Sequence, residues 1–148
     1  MTALRVNDIK KFMELLLSGE AFDDFMFIEA EIGMAMDHRI SGRINRAFFT
    51  SDENEILGDA VYHKWGAAKD GVRRTVTGKR LPVRMKIVLQ KEGERGTKII
   101  SIRFDQSGLV IITGFAQKGF DTDKQPERDW DNEAYEFLRG LALDTENC

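Results

Sequence analysis

Two glutamates, Glu29 and Glu31, form one pair in this 148-residue sequence that could do acid–base or metal chemistry. Residues two apart in a β-strand point to the same side of the sheet. Their carboxylates could therefore bind a metal ion together or share a proton-transfer role. More often such a pair is the solvated face of a strand whose other side is apolar, and Met26, Ile28 and Ala30 supply that side. The second reading is favoured here.

Other residue types that could carry chemistry are isolated in the sequence. Neither His38 nor His63 has a cysteine or a second histidine at the spacing of a zinc site. The stretch "DTD" at 121–123 has too few oxygen ligands for a calcium loop. No G-x-G-x-x-G, Walker or nucleophile-elbow motif is present. We predict no catalytic residue, no metal site and no cofactor, which favours a protein that is not an enzyme.

The charged residues are distributed unevenly along a chain whose net charge is −3. Residues 63–98 carry 11 cationic and 3 acidic side chains, whereas residues 1–62 carry 6 cationic and 12 acidic ones. Such segregation is found in proteins that bind a polyanion, and also where a basic element pairs with acidic neighbours. The cations that would contact nucleic acid are Lys69, Arg73, Arg74, Lys79 and Arg80.

The periodicity of this basic segment predicts that its cations do not form one surface. A helix is expected from near Asp59 to Gly78, with its apolar stripe at Val61, Trp65, Ala68, Val72 and Val76. Arg73 and Arg74 then point away from the sheet. In the following strand Arg84 and Lys86 point to the side opposite Met85, so the sheet would separate the two pairs. We therefore favour a solvated face over a nucleic-acid surface and predict weak or no DNA binding at physiological salt.

The remaining elements predict an α+β domain. Helices are expected from Asn7 to Gly19 and from about Pro126, and "TSDENE" at 50–55 is expected to be a polar loop. Strands are expected as a hairpin and a three-strand meander, giving an antiparallel sheet of about five strands with helices on one face. The first hairpin strand is expected to have Met26, Ile28, Ala30, Ile32, Met34 and Met36 on its apolar face. The second is expected to have His38, Ile40, Gly42 and Ile44 on one side, with an extension to Phe48 and Phe49.

The composition is that of an ordinary globular protein, with 42% apolar and 32% charged residues. We expect a single domain over residues 1–148. Cys148 is the only cysteine, which fits a reducing, cytoplasmic location. No stretch approaches the length of a membrane span, and the N-terminal segment is spaced as an amphipathic helix, not as a signal peptide.

Three stretches together resemble a known family: "ALRVNDIKKFMELLLSGEAFDDFMFIEAEI", "ISGRINRAFF" and "GKRLPVRMKIVLQ". The chain is similar to a family of small uncharacterised bacterial proteins, catalogued as a domain of unknown function. The resemblance covers most of the chain and implies a single cytosolic domain, with no known activity or cofactor.

The element order is also similar to one repeat of the sliding-clamp fold, in which helices face DNA and the sheet faces outward. That likeness would make Lys69, Arg73 and Arg74 the cations facing DNA, and it would require ring-forming edges. The chain after Phe115, with a third helix, departs from the clamp pattern.

Two function hypotheses follow from the sequence. The first is a non-enzymatic cytosolic interaction or assembly module that binds an unknown protein partner or associates with itself through strand edges. The alternative is a nucleic-acid-associated protein of clamp-like fold that uses the basic helix and loop of residues 63–86. No membrane partner is expected.

Overall fold

The computed structural model describes residues 1–76, 78, 80–119 and 123–148. Within these residues it contains seven strands and four α-helices, with a short 3-10 turn at Arg46–Phe48. In chain order they are β1 (Ala3–Val6), α1 (Ile9–Leu17), β2 (Met26–Gly33), β3 (Asp37–Ser41), α2 (Ser51–Leu57), α3 (Trp65–Val76), β4 (Arg84–Glu92), β5 (Gly96–Asp105), β6 (Gly108–Gln117), α4 (Gln125–Gly140) and β7 (Thr145–Asn147).

The strands form one open antiparallel sheet in the order β3-β2-β4-β5-β6-β1-β7. The α+β class and the hairpin-plus-meander arrangement are as predicted, but the sheet has seven strands where about five were expected. The two additional strands, β1 and β7, have four and three residues. Such short segments show little periodicity of their own, and β1 is defined by its pairing with the distant β6.

A β-bulge in β2 corrects the predicted inward face of that strand. The pairing of β2 with β4 shifts between Phe27 and Glu29. As a result Phe27, Ala30 and Ile32 are buried, whereas the prediction placed Met26 and Ile28 on that face. A bulge adds one residue to one strand and so changes which residues face inward on either side of it. Simple alternation along the sequence cannot reveal that change.

One hydrophobic core lies between the sheet and helices α1, α3 and α4. Met85 of β4 and Val72 of α3 face it, as predicted, and so do Ile87 and Leu89 of β4. The buried residues of α4 are Pro126, Trp130, Ala134 and Leu138, which recur every four residues along the helix. These helices therefore cover one face of the sheet, while the even-numbered positions of β4, which include Arg84 and Lys86, point to the other face.

The second predicted helix was placed too early in the sequence. Helix α3 begins at Trp65, and Val61 is exposed. The preceding residues have extended backbone because they pair elsewhere: Tyr62 bridges Arg43, and Lys64 bridges Met26. Long-range pairing of this kind overrides the helical spacing of the apolar residues.

The predicted polar loop "TSDENE" is mostly a helix, α2, which is also a correction. Thr50 is its N-cap: the Thr50 hydroxyl accepts a hydrogen bond from the Glu53 N–H, and the Glu53 carboxylate accepts one from the Thr50 N–H. This capping box was visible in the sequence as a threonine three residues before a glutamate. Phe48 and Phe49 belong to the 3-10 turn region and not to an extended strand. Helix α1 is capped by Asp8, one residue after the predicted Asn7.

Within the described residues, no helix combines the length and hydropathy needed to cross a membrane.

Candidate protein-interaction site

The carboxylate pair singled out in the sequence lies on the face of the sheet opposite the core. Glu29 is 3.5 Å from the Lys86 ammonium, and Glu31 is 3.8 Å from the Arg39 guanidinium. The two glutamates line a shallow depression of about 370 Å³ together with Arg39 and Arg43. Each carboxylate thus has a cation beside it on an open surface. This is the arrangement of a solvated strand face, in which surface ion pairs contribute little.

The histidines are not joined to other metal-ligating groups. The His63 ring lies 5.7 Å from the Phe49 ring, between centroids, and the His63 backbone is hydrogen-bonded to Phe27 and Gly42. Across the described ranges of the chain, no three His, Cys, Asp or Glu side chains come close enough together to hold a metal ion. The "DTD" stretch falls partly on residues 121 and 122, which lie outside the described residues.

The cations of the basic segment fall on both sides of the sheet. Arg84 binds Asp37 at 2.7 Å, and Lys86 lies beside Glu29, both on the face away from the helices. Arg73 is on α3, on the helical side, and binds Asp70 at 2.8 Å.

The residues predicted to bind nucleic acid differ in how exposed they are to solvent. Arg74 and Arg80 are exposed, and Lys79 lies outside the described residues. Lys69 is mostly buried, with 15% of its side chain exposed. Its ammonium donates to the Gly19 carbonyl at 2.7 Å and to the Asp23 carboxylate at 2.9 Å. Lys69 therefore joins α3 to the segment that follows α1.

Replacing Lys69 with alanine is expected to lower the free energy of unfolding by about 2 kcal/mol, because the Gly19 carbonyl and the Asp23 carboxylate lose a charged, mostly buried donor. Urea denaturation followed by circular dichroism measures the change. The matched control is Arg73→Ala on the same helix, whose ion pair is solvent-exposed; we expect a change within about 0.5 kcal/mol. Unchanged stability of the Lys69 variant would contradict this structural role and return Lys69 to the nucleic-acid hypothesis.

An apolar groove opens between α1, the C-terminal end of α3 and the segment that leads into β4. Its lining residues are Ile9, Met13, Leu17, Val76, Leu81, Pro82, Met85 and Phe104. Met85 is a buried part of the floor, whereas Leu81 forms an outer lip with 81% of its surface exposed. The deeper part of the groove has a volume of about 210 Å³, and a wider part of about 630 Å³ continues along α1.

Charged residues border the wider part of this groove. Lys10 and Arg73 line it, together with the single acid Glu14, among the residues described around it. Arg80 precedes Leu81 in the sequence and is exposed. The lining offers aliphatic, thioether and aromatic groups, which bind apolar side chains but perform no proton transfer. The groove is thus suited to binding. Lys10 and Arg73 outnumber Glu14 at its border, although Arg73 is also paired with Asp70, and this small excess of positive charge favours an acidic ligand.

A second feature projects from the sheet at its β3 side: residues 43–62, called the lobe from here on. Its two ends lie side by side, because the Ile44 N–H donates to the Val61 carbonyl at 2.9 Å. Inside it, the Arg46 guanidinium donates to the carbonyls of Gly58 and Ala60, at 2.6 and 2.8 Å. The Asn54 amide donates to the carbonyls of Arg46, Phe49 and Thr50. The 3-10 turn and α2 contain no buried residue, so these hydrogen bonds hold the lobe together.

The outer surface of the lobe is both apolar and acidic. Phe48 and Ile56 have 81% and 87% of their surfaces exposed. The same segment carries four exposed acids, Asp52, Glu53, Glu55 and Asp59. The Thr50 N–H holds the pKa of the Glu53 carboxyl below its ordinary value, so this contribution to α2 is present above pH 4.5 and lost as the pH falls through the lowered pKa.

Sequence reasoning found neither the groove nor the lobe as a site. The groove is formed by residues far apart in the chain, so no local pattern marks it. The lobe had one signal in the sequence, the Thr50–Glu53 capping box, which predicts a helix. The few apolar residues of that helix form no continuous stripe that could pack on the core.

Comparison with known proteins identifies the family but no function. A family model described as a family of unknown function, DUF5721, matches residues 15–101 and 96–146. The chain belongs to DUF5721. No curated protein matches it, and no solved structure matches it.

The DUF5721 match covers both surfaces described above. Residues 43–62 of the lobe lie inside it, and so does most of the groove lining, from Leu17 of α1 to Phe104 of β5. Ile9 and Met13 precede the matched residues. The sliding-clamp likeness of the element order stays a prediction for this DUF5721 chain.

Proposed function

We propose that this protein is a non-enzymatic cytosolic interaction or assembly module, and that the groove between α1 and α3 binds an apolar segment of a protein that also carries acidic residues. The observation that carries the proposal is the apolar groove itself, open to solvent and bordered by Lys10 and Arg73. The single cysteine of the chain fits a reducing compartment.

The energetics of the groove support a binding role. Apolar surface in contact with water gains about 25 cal/mol for each Å² that a partner covers. One large apolar side chain seated against Met13, Leu17 and Phe104 would therefore contribute about 1.5–3 kcal/mol. Amphipathic helices use this mode when they place apolar residues in a groove, and charges at the border set orientation and association rate.

Selection from a random displayed peptide library against the full chain tests the proposal. We expect enrichment of peptides in which large apolar residues are flanked by Asp or Glu. Binding should be lost in the variant Leu81→Asp, which removes the apolar lip and adds a repulsive charge. The control is Tyr135→Ser, since Tyr135 is an exposed apolar residue of α4 and is absent from the groove lining. No enrichment, or enriched peptides that bind the Leu81 variant equally well, would contradict the proposal.

The nucleic-acid alternative stays a prediction. Its support is the exposure of Arg74 and Arg80. Against it, Lys69 is mostly buried and bonded to Asp23. Salt-titrated binding of DNA and RNA to the wild type and to an Arg73→Ala/Arg74→Ala variant separates the two functions. Tight binding with a steep salt dependence, lost in that variant, would favour the alternative.

A further inference from the structure

We propose that the segment bound in the groove is the lobe of a second copy of this chain, so that the protein assembles head to tail. This inference rests on the proposed function of the groove and adds the identity of its partner. It is an interaction between two different surfaces of the same chain, each of which is open in the isolated protein.

The two surfaces are complementary in polarity and charge. The lobe presents two exposed apolar side chains, Phe48 and Ile56, on a segment that also carries four exposed acids. The groove presents an apolar lining, and the charges at its border are two cations, Lys10 and Arg73, and one acid, Glu14. An aromatic or branched aliphatic anchor in an apolar pocket, surrounded by paired charges, is the usual arrangement of a specific interface.

Within one copy, the lobe lies away from the groove. The lobe joins the sheet next to Ile28, where the Gly42 N–H donates to the Ile28 carbonyl. The floor of the groove lies beyond the other end of that strand, where Ile32 pairs with Met85. About 13 Å of strand separates Ile28 from Ile32. The residues described as lining the groove include none from the lobe.

The lobe is pre-organised for this contact. Arg46 and Asn54 hold its backbone through hydrogen bonds to several carbonyls. The Phe48 ring packs edge-to-face on Phe49 at 5.3 Å between centroids, and Phe49 in turn contacts His63. A surface that is already ordered loses little conformational entropy on binding, so more of the contact energy appears as affinity.

A contact between unlike surfaces has a geometric consequence for the assembly. Each copy offers one lobe and one groove, so the contact can repeat from copy to copy. The rotation between successive copies decides whether the chain of contacts closes into a ring or continues as a filament. In either case the average mass should rise with protein concentration.

The test uses the full-length chain and two variants that each disable one surface. Phe48→Ser/Ile56→Ser removes the anchors of the lobe, and Leu81→Asp disables the groove. All three positions are exposed, so circular dichroism should report an unchanged fold. Tyr135→Ser serves as the control. Mass in solution is measured by sedimentation equilibrium over a range of concentrations.

We expect the wild type and the Tyr135 control to assemble, and each surface variant alone to be monomeric. An equimolar mixture of the two variants should form a one-to-one dimer and stop there, because only one intact lobe and one intact groove remain to meet. A monomeric wild type at high concentration, a lobe variant that assembles like the wild type, or a mixture that stays monomeric would each overturn the inference.

These outcomes are distinguishable from failure of the proposed function. If the groove selects acidic apolar peptides while the wild type is monomeric, the groove binds another protein and only the identity of its partner is wrong. If no peptide is selected and the wild type is also monomeric, both proposals fall.

Discussion

Replacing Trp65 with alanine is expected to lower the free energy of unfolding by about 3–5 kcal/mol, the largest effect of any single substitution considered for this protein. The Trp65 side chain is completely buried, packs edge-to-face on Phe27 at 5.4 Å between centroids, and donates its indole N–H to the Leu16 carbonyl at 2.7 Å. It therefore connects α3 to both α1 and β2. Chemical denaturation of the two proteins measures the difference.

The variant Trp65→Phe separates the hydrogen bond from the burial of the ring. It keeps an aromatic ring but leaves the Leu16 carbonyl without its donor, at a cost of about 1–3 kcal/mol. Trp130→Phe is the matched comparison, because the Trp130 indole donates to the Ile99 carbonyl at a longer distance of 3.2 Å; we expect a smaller loss there. A Trp65→Ala protein within about 1 kcal/mol of the wild type would show that α3 is held in another way.

Gly42→Ala should cost about 3 kcal/mol or more, because a methyl group at this position has no room. An ideal Cβ on Gly42 would lie 1.8 Å from the Phe27 carbonyl oxygen, which is backbone and cannot rotate away. The neighbouring hydrogen bonds, from the Gly42 N–H to Ile28 and from the His63 N–H to Gly42, both measure 2.9 Å and resist a shift. Thermal or urea denaturation, together with hydrogen exchange of the lobe amides, measures the effect.

The same substitution in α3 provides the opposite control. A Cβ on Gly71 would meet no atom within 4 Å, and this glycine is inside a helix. Gly71→Ala is expected to stabilise the protein by about 0.5–1 kcal/mol through helix propensity. Equal effects of the two substitutions would contradict the close approach of Gly42 to β2.

Sequence patterns predicted the elements whose periodicity is strong and local. Met85, Ile87 and Leu89 alternate without interruption, and Trp130 and Ala134 keep helical spacing, so β4 and α4 were identifiable. Two predictions failed where distant contacts decide the structure, whereas the polar loop at 50–55 was wrong despite a local capping box. The bulge near Phe27 depends on pairing with β4, and the extended backbone at 61–64 depends on pairing with β2 and with residues near 43.

The placement of the basic cations was predictable from the sequence, whereas the groove was not. Alternation along β4 placed Arg84 and Lys86 opposite Met85, and the structure has them there, paired with Asp37 and Glu29. The anchoring of Lys69 and the groove could not be foreseen, because both arise where α1 and α3 approach each other across about fifty residues of sequence. The exposure of Phe48 and Ile56 could not be predicted for a different reason. Single apolar residues in a polar stretch have no periodicity that would indicate whether they are buried.

The two ends of the lobe are paired with each other, so we expect that the segment between them can be removed or replaced. The chain leaves and re-enters the sheet at adjacent positions, marked by the bond between Ile44 and Val61 and the bridge between Arg43 and Tyr62. A short turn could join these ends, and a shorter loop has a lower closure entropy. Excising residues 46–59 should thus leave a sheet that still folds, which denaturation would verify. The same position could accept a foreign peptide in place of the lobe. The binding specificity would then change while the sheet and the core helices stay the same.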